Sequence, residues 1–488
     1  MEEFGVFVKT YVQKHFKPLD PTTDLSIESW LEGTTYPAHR KQELQQLWEK
    51  NKDSVWDPKF QQVKGFGKDE VYPSYKHERG INSRHDLFKC AVGPTFKAIE
   101  KEVFKDPHFI KYVPVSLRGR HVMEKLYRVG AKIFGSDYTS FEALMTRLFQ
   151  SKSEWILYEH MTQFLPSGKR FMRLVKEVIG GTNKIIYKLF VVWIEAVRMS
   201  GEMNTSLGNG FNNTMAFLFV CHKIGVLNPD CFVEGDDLIG TLYGPTPKKE
   251  DFAKLGLICK PEYPQSLSEA SFCGIIADEE AMDVITDPIE AISNFGWTTR
   301  EYARATPKVV KKLLRCKALS MAHQYPGCPL LSAFAEYVLR MTRGINVVDF
   351  VKTLRVSAWE RDQILEAVKD EKKLRGKRKA VHKNTRHLVE KKFGIKIEHQ
   401  TAIEAYFDSL TDLCELDHEL LDMYVPTTWK DYFSRYHREL KTLDRTIDHP
   451  SRLWPQIPVG SPGHVSIPPA VFTNPPRARK PRKGPLFI

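Results

Sequence analysis

The spacing of apolar residues divides this chain into three stretches. From about residue 290 to 441 it is helical, with segments such as LLSAFAEYVLRM and WERDQILEAV in which apolar positions recur every three or four residues. From about residue 125 to 276, short β-rich runs (KIFGSDY, KIIYKLFVVWI, DCFVEGDDLIGTLY, SFCGII) alternate with helix-like ones (SFEALMTRLFQ, SEWILYEHMTQFL). That alternation predicts an α+β lobe around a small sheet. Residues 1 to about 120 are mixed, dotted with Trp30, Trp48 and Trp56, and their pattern yields no clean element assignment.

At 488 residues the chain is long for one core and suggests two or three lobes. Its 42% hydrophobic and 27% charged composition excludes wholesale disorder. The eight cysteines form no CxxC pair, so a disulfide scaffold or zinc ribbon is not expected, and the thiols read as reduced and mostly buried. The first residues lack a basic-then-apolar signal. The most apolar run, Ile185 to Val197, is interrupted by Lys188 and Glu195 and falls short of the roughly 20 residues a membrane helix needs. The expectation is a soluble protein whose membrane attachment comes through a partner.

The formal charge of +12 favours a polyanionic partner, and its distribution sharpens that. Residues 371–396 hold eleven Lys/Arg and two Glu, and the last eighteen residues add Arg477, Arg479, Lys480, Arg482 and Lys483. Everything outside those two segments is nearly neutral. Ten of the 29 prolines lie between Pro450 and Pro485, which predicts an extended arm rather than helix or sheet there.

Three segments carry candidate chemistry. In FVEGDDLIG two β-prone runs flank Gly235-Asp236-Asp237, predicting a hairpin with acids at its tip. Taken alone this is an ordinary turn. Adjacent carboxylates repel, however, and a divalent cation would relieve that through hard oxygen ligands. In IFGSDYTSFE an apolar strand ends at Asp137 and a helix is expected within two or three residues, so Asp137 is either a helix cap or a further acid beside the hairpin. Thr139-x-x-Glu142 fits a capping box as well as a substrate role. In SGEMNTSLGN a glycine-containing loop feeds a helix and can present hydroxyls, amides and a dipole to a polar ligand.

The order D-x4-E, SG-x3-T-x3-N, GDD resembles motifs A, B and C of viral RNA-dependent RNA polymerases. The wording RMSGEMNTSLGN is similar to the tombusvirus-like, and more loosely flavivirus-like, positive-strand group. Glu78-Arg79-Gly-Ile-Asn-Ser-Arg84 resembles motif F, Leu255–Lys260 is placed like motif D, and Ser271-Phe-Cys273-Gly like motif E. The likeness runs from about Lys76 to Thr342, where KALSMAHQYPGCPLLSAFAEYVL resembles the early thumb of the group.

The resemblance implies a right-hand fold: fingers and fingertips over 1–125, a palm with an antiparallel sheet flanked by helices over 126–285 (with about 150–190 returning to the fingers), a mainly helical thumb over 286–445, and a Pro/Arg-rich tail over 446–488. It implies RNA synthesis on an RNA template from ribonucleoside triphosphates, with Mg2+ or Mn2+ held by Asp137, Asp236 and Asp237. It further implies that Ser200, Thr205 and Asn209 position the incoming ribose, with Glu142, where many relatives have Asp, joining Asn209 in sensing the 2′-hydroxyl. Arg79 and Arg84 would neutralise the triphosphate, and Lys260 would protonate departing pyrophosphate. Lys377 and Arg378, in the basic run, are candidates for RNA backbone contact. Viral genome replication in the host cytoplasm, at membranes recruited by other viral proteins, is expected on the same ground. The rival readings are a reverse transcriptase or DNA polymerase, and a basic RNA-binding structural protein that has lost activity.

Overall fold

The computed structural model describes residues 1–54, 56–298, 302–354, 356, 358–370 and 378–436. The expected arm at 446–488 lies outside the described residues, as does Lys377.

Two four-stranded sheets organise the first two-thirds of the chain. Their strands are β1 (Gln62–Gly67), β2 (Gly80–Arg84), β3 (Lys132–Tyr138), β4 (Thr182–Ile186), β5 (Val191–Glu195), β6 (Leu227–Glu234), β7 (Asp237–Tyr243) and β8 (Cys259–Glu262). One sheet has the order β6-β7-β3-β8 and is antiparallel throughout. The other has the order β2-β1-β4-β5, with β1 and β4 parallel. The α+β reading of residues 125–276 agrees with this. In that region β3, the β6–β7 hairpin and the two halves of KIIYKLFVVWI all fall on strands.

The antiparallel sheet is buried because helix Thr205–Ile224 lies across it. Phe134 from β3 stacks on Phe217 of that helix at 5.3 Å and on Phe252 at 6.0 Å. Aromatic pairs at such spacings add to what area burial alone contributes. The helix runs on to Gly225, whose φ of 76° lets the chain turn back into β6 at no steric cost. The N-terminal helix Glu2–His15 closes the far side with Phe4, Val8 and Val12, all fully buried in the same core. Thus the unparsed first stretch is largely helical, with one hairpin, β1–β2.

Two local expectations need correction. SFEALMTRLFQ is not one helix: a short 3-10 turn, Phe141–Leu144, ends at Met145 (ψ 65°), and extended Thr146 starts a separate helix, Arg147–Lys152, by accepting the Phe149 amide on its side chain. SFCGII forms only an isolated bridge, Phe272 to Ile275, and a two-residue strand, Ile276–Ala277.

From Pro288 onward the described residues are helical, including Pro307–Gln324, Leu331–Met341 and Ile397–Ser409. A separate apolar cluster, including Phe295, Phe334, Tyr337 and Phe407, holds them together. No helix among the described residues is long and apolar enough to cross a membrane.

Candidate active site

The acids meet at one end of the antiparallel sheet, and local backbone rules put them there. β6 and β7 pair Glu234 with Asp237, leaving Gly235 and Asp236 as a two-residue loop. Gly235 sits at φ 64°, the conformation such loops require at this position, so glycine is the residue that fits. On the other side of β7, the register with β3 pairs Leu238 with Ser136. Asp137 is the next residue along and stands at the same end as the hairpin tip. β8 then places Lys260 directly opposite Asp137, with Nζ 3.7 Å from Oδ2.

This proximity shapes the electrostatics of the site. Surrounding protein mass, and then the charges of Glu142 and Asp137, raise the Asp236 carboxyl above its usual range, while Arg79 pulls it down. Asp237 is pushed up to about 6, first by desolvation and then by Asp236. A thiol hydrogen bond from Cys273 opposes that rise. Acids that repel across a shared edge are hard oxygen donors of the kind a divalent cation takes. Among the described residues, no group of three or more His, Cys, Asp or Glu side chains stands ready at ligating distances. The acids therefore share an edge without forming a closed cage.

The loop before helix Thr205–Ile224 is built into this end. Asn209 Nδ2 donates to Glu142 Oε1 at 3.3 Å, while its own Oδ1 is buried and has no protein partner. The expected capping box at Thr139 does not form: no side chain caps the Phe141–Leu144 turn, and the Glu142 carboxylate faces Asn209 instead. The Glu142 carbonyl accepts from the Arg198 amide at 3.0 Å, tying the two segments together a second time. Ser200 Oγ accepts from the Asn82 amide at 3.1 Å and lies 3.3 Å from the Gly80 carbonyl, which joins the loop to β2. The Thr205 hydroxyl turns back onto the loop, towards the carbonyls of Met199 (3.1 Å) and Glu202 (3.2 Å).

The two arginines of β2 and its approach part company. Arg79 is 69% exposed at the side chain, pairs with Glu70 (3.5 Å), and acts electrostatically on Asp236. Arg84 has a fully buried side chain and is an ion-pair partner of Glu202. It also donates to Asn183 Oδ1 at 2.6 Å and to the Phe60 carbonyl at 3.3 Å. The reading of Arg84 as a triphosphate contact is corrected: its donors are spent inside the protein, holding the loop to the second sheet.

Four cations of the basic run are likewise engaged in ion pairs. Arg378 pairs with Glu404 (2.9 Å) and Asp408 (3.2 Å), Lys379 with Asp283 (2.5 Å), Arg386 with Glu404 (2.8 Å) and Lys391 with Glu269 (2.7 Å). These cations pin helices Lys383–Phe393 and Ile397–Ser409 to one another and to the 269–283 segment. Arg378 is thus no free phosphate contact.

Asn213 was invisible to motif reading. Its Nδ2 donates to the Asp236 carbonyl at 2.8 Å, and its Oδ1 accepts from Tyr138 OH at 3.1 Å, so one buried amide clamps the hairpin tip to the end of β3. The signal that could have found it is polar residues, Asn209, Asn212 and Asn213, on an otherwise apolar helix. A second hidden group is the fully buried Arg198–Glu154 pair, to which Asn212 donates at 3.1 Å. Replacing Asn213 by alanine is expected to lower nucleotide incorporation about 10- to 100-fold, since removing a buried amide strands its partners at about 1–3 kcal/mol. Steady-state rates beside a melting curve check this; an unchanged rate would mean the tip holds itself.

With this geometry in place, the comparisons are specific. Residues 189–415 match the family described as viral RNA dependent RNA polymerase. An RNA-directed RNA polymerase of Turnip crinkle virus is 26% identical over 255 residues, covering 48% of this chain and 31% of that protein. The chain therefore spans under a third of the relative it matches. Both findings support the resemblance to viral RNA-dependent RNA polymerases of the tombusvirus-like group.

Proposed function

We propose that this chain synthesises RNA on an RNA template by nucleotidyl transfer, and so replicates and transcribes a viral RNA genome. The observation that carries the reading is the meeting of Asp137, Asp236 and Asp237 at one sheet end, beside the Asn209–Glu142 contact. In right-hand terms, residues 1–125 are fingers, 126–285 palm and 286–445 thumb, with the antiparallel sheet as the palm floor.

Asp137, Asp236 and Asp237 would hold Mg2+ or Mn2+, which when bound polarises the attacking and leaving oxygens of phosphoryl transfer. The chain's own residues do the positioning. Arg79 reaches the acids' end through solvent and neutralises triphosphate oxygens, a task suited to a planar, permanently charged group. Asn209 is fixed by Glu142, and the pair would sense the ribose 2′-hydroxyl. Ser200 and Thr205 act through the loop, whose shape their hydroxyls maintain. Lys260, beside Asp137, is placed to give a proton to departing pyrophosphate. Attachment to membranes in the host cytoplasm would be assisted by other viral proteins.

The reading is tested by comparing UTP with dTTP incorporation on an RNA template with Mg2+ or Mn2+ supplied. UTP preference is expected. A preference for dTTP, or a folded sample inert toward both, overturns it. Asn209→Ala should reduce UTP preference over dTTP about 10- to 100-fold, the worth of one buried hydrogen-bonding group at about 1–3 kcal/mol. Equal discrimination by wild type and variant would remove Asn209 from the ribose pocket.

A further inference from the structure

The β2-β1-β4-β5 sheet has two unlike faces. One carries Val63 and Ile185, which pack with Met199 in a small core. On the other, strand pairing sets Ile186 opposite Val191, Lys184 opposite Trp193 and Lys64 beside Ile186. Those positions are open. Trp193 is 63% exposed, and at the β4–β5 turn Leu189 is 88% and Phe190 58% exposed. A protein surface rarely leaves aliphatic and aromatic groups contiguous and uncovered unless something covers them.

The charges beside this patch are mainly positive, since Glu195 is the one acid on this face of β4 and β5 and the nearby Asp86 is held by Arg40 and Lys89. Lys64, Lys184 and Lys188 stand on the patch or at its rim, whereas Glu195 lies at the far end of β5, opposite Thr182. Among the described residues neither Lys64 nor Lys188 has an acidic partner at ion-pair distance. The Lys184 ammonium lies over the Trp193 ring, its Nζ 5.0 Å from the centroid, so cation and ring present one joined basic-aromatic surface. Tyr187 stacks on Phe190 at 4.6 Å and stiffens the turn.

We propose that this sheet face and its β4–β5 turn form a peripheral docking surface for an anionic lipid bilayer, with Leu189, Phe190 and Trp193 entering the interface and the lysines meeting headgroups. Charge complementarity and side-chain chemistry select this occupant. Hydrocarbon accepts leucine, valine and isoleucine, and negative headgroups attract lysines at the same depth. Single-stranded nucleic acid would use only the rings of Phe190 and Trp193 and leave the exposed Leu189, Val191 and Ile186, which offer a base neither stacking nor hydrogen bonds, uncovered.

The test floats the full-length protein with vesicles of phosphatidylcholine containing phosphatidylserine, and with phosphatidylcholine alone. Wild type should float with the anionic vesicles and much less with the neutral ones. The variant Leu189→Ser/Phe190→Ser/Trp193→Ser should lose at least about tenfold of that binding, because affinity follows buried apolar area. RNA synthesis on a soluble template and the sedimentation mass should be unchanged. The variant Lys64→Glu/Lys184→Glu/Lys188→Glu keeps the apolar groups, should lose the preference for phosphatidylserine, and decides the matter if the serine variant melts early. The proposal falls if wild type floats with neither vesicle, or if both variants float as wild type does. It also falls if the serine variant changes the sedimentation mass, assigning the face to a second copy, or weakens only single-stranded RNA binding.

Discussion

Asp236→Asn is expected to reduce radiolabelled ribonucleotide incorporation on the order of 10³-fold, equivalent to about 4 kcal/mol of transition-state stabilisation. The substitution keeps size and removes charge. The Asp236 carbonyl, which Asn213 grips at 2.8 Å, is untouched, and the left-handed turn is made by Gly235. The fold should survive, because removing one of several mutually repelling carboxylates relieves rather than creates strain at the tip. The melting temperature should therefore hold or rise slightly while the rate collapses. Incorporation equal to wild type would take this acid out of the chemistry and, with it, the site as described.

The second large effect separates the two arginines. Arg84→Met removes a cation from a pocket where Glu202 stays behind without its partner, and breaking a buried pair on one side costs about 3–5 kcal/mol. A marked fall in melting temperature is expected, with loss of activity following from disorder of the Ser200–Thr205 loop. Arg79→Ala, at an exposed position, should leave the melting curve within about 0.5 kcal/mol of wild type and raise KM for nucleotides. If Arg84→Met melted normally and only weakened nucleotide binding, the burial argument would fail and both arginines would be triphosphate contacts.

The hairpin at Gly235 and the strand that carries Asp137 near its end were legible in the chain because they rest on local rules, a two-residue turn that needs glycine and short β-prone apolar runs. Their shared end was legible only through resemblance, since register between β3 and β7 is a long-range property. The capping reading of Glu142 failed for a related reason. Thr139 and Glu142 have the right spacing, but Ser140 bends the chain into the left-handed region, and Asn209, 67 positions away, takes the carboxylate. Arg84 shows the limit most clearly. Two arginines five residues apart look alike in sequence, and only the packing of β2 against Glu202 and Asn183 buries one and leaves the other in water. Arg378 makes the same point, because the acids that meet it and its described neighbours Lys379 and Lys391, namely Glu269, Asp283, Glu404 and Asp408, are remote or arise from neighbouring helices.

By itself the sequence determined the mixed strand-and-helix character of residues 125–276, the turn at the acids, the helical character beyond about residue 290 and the resemblance to viral polymerases. All of these depend on neighbours a few residues apart or on ordered motifs. Tertiary structure alone decided which cations are spent in ion pairs, which amide holds the hairpin tip, and which sheet face stays bare. Burial and partnership are properties of segments brought together from distant parts of the chain, and no local pattern encodes them.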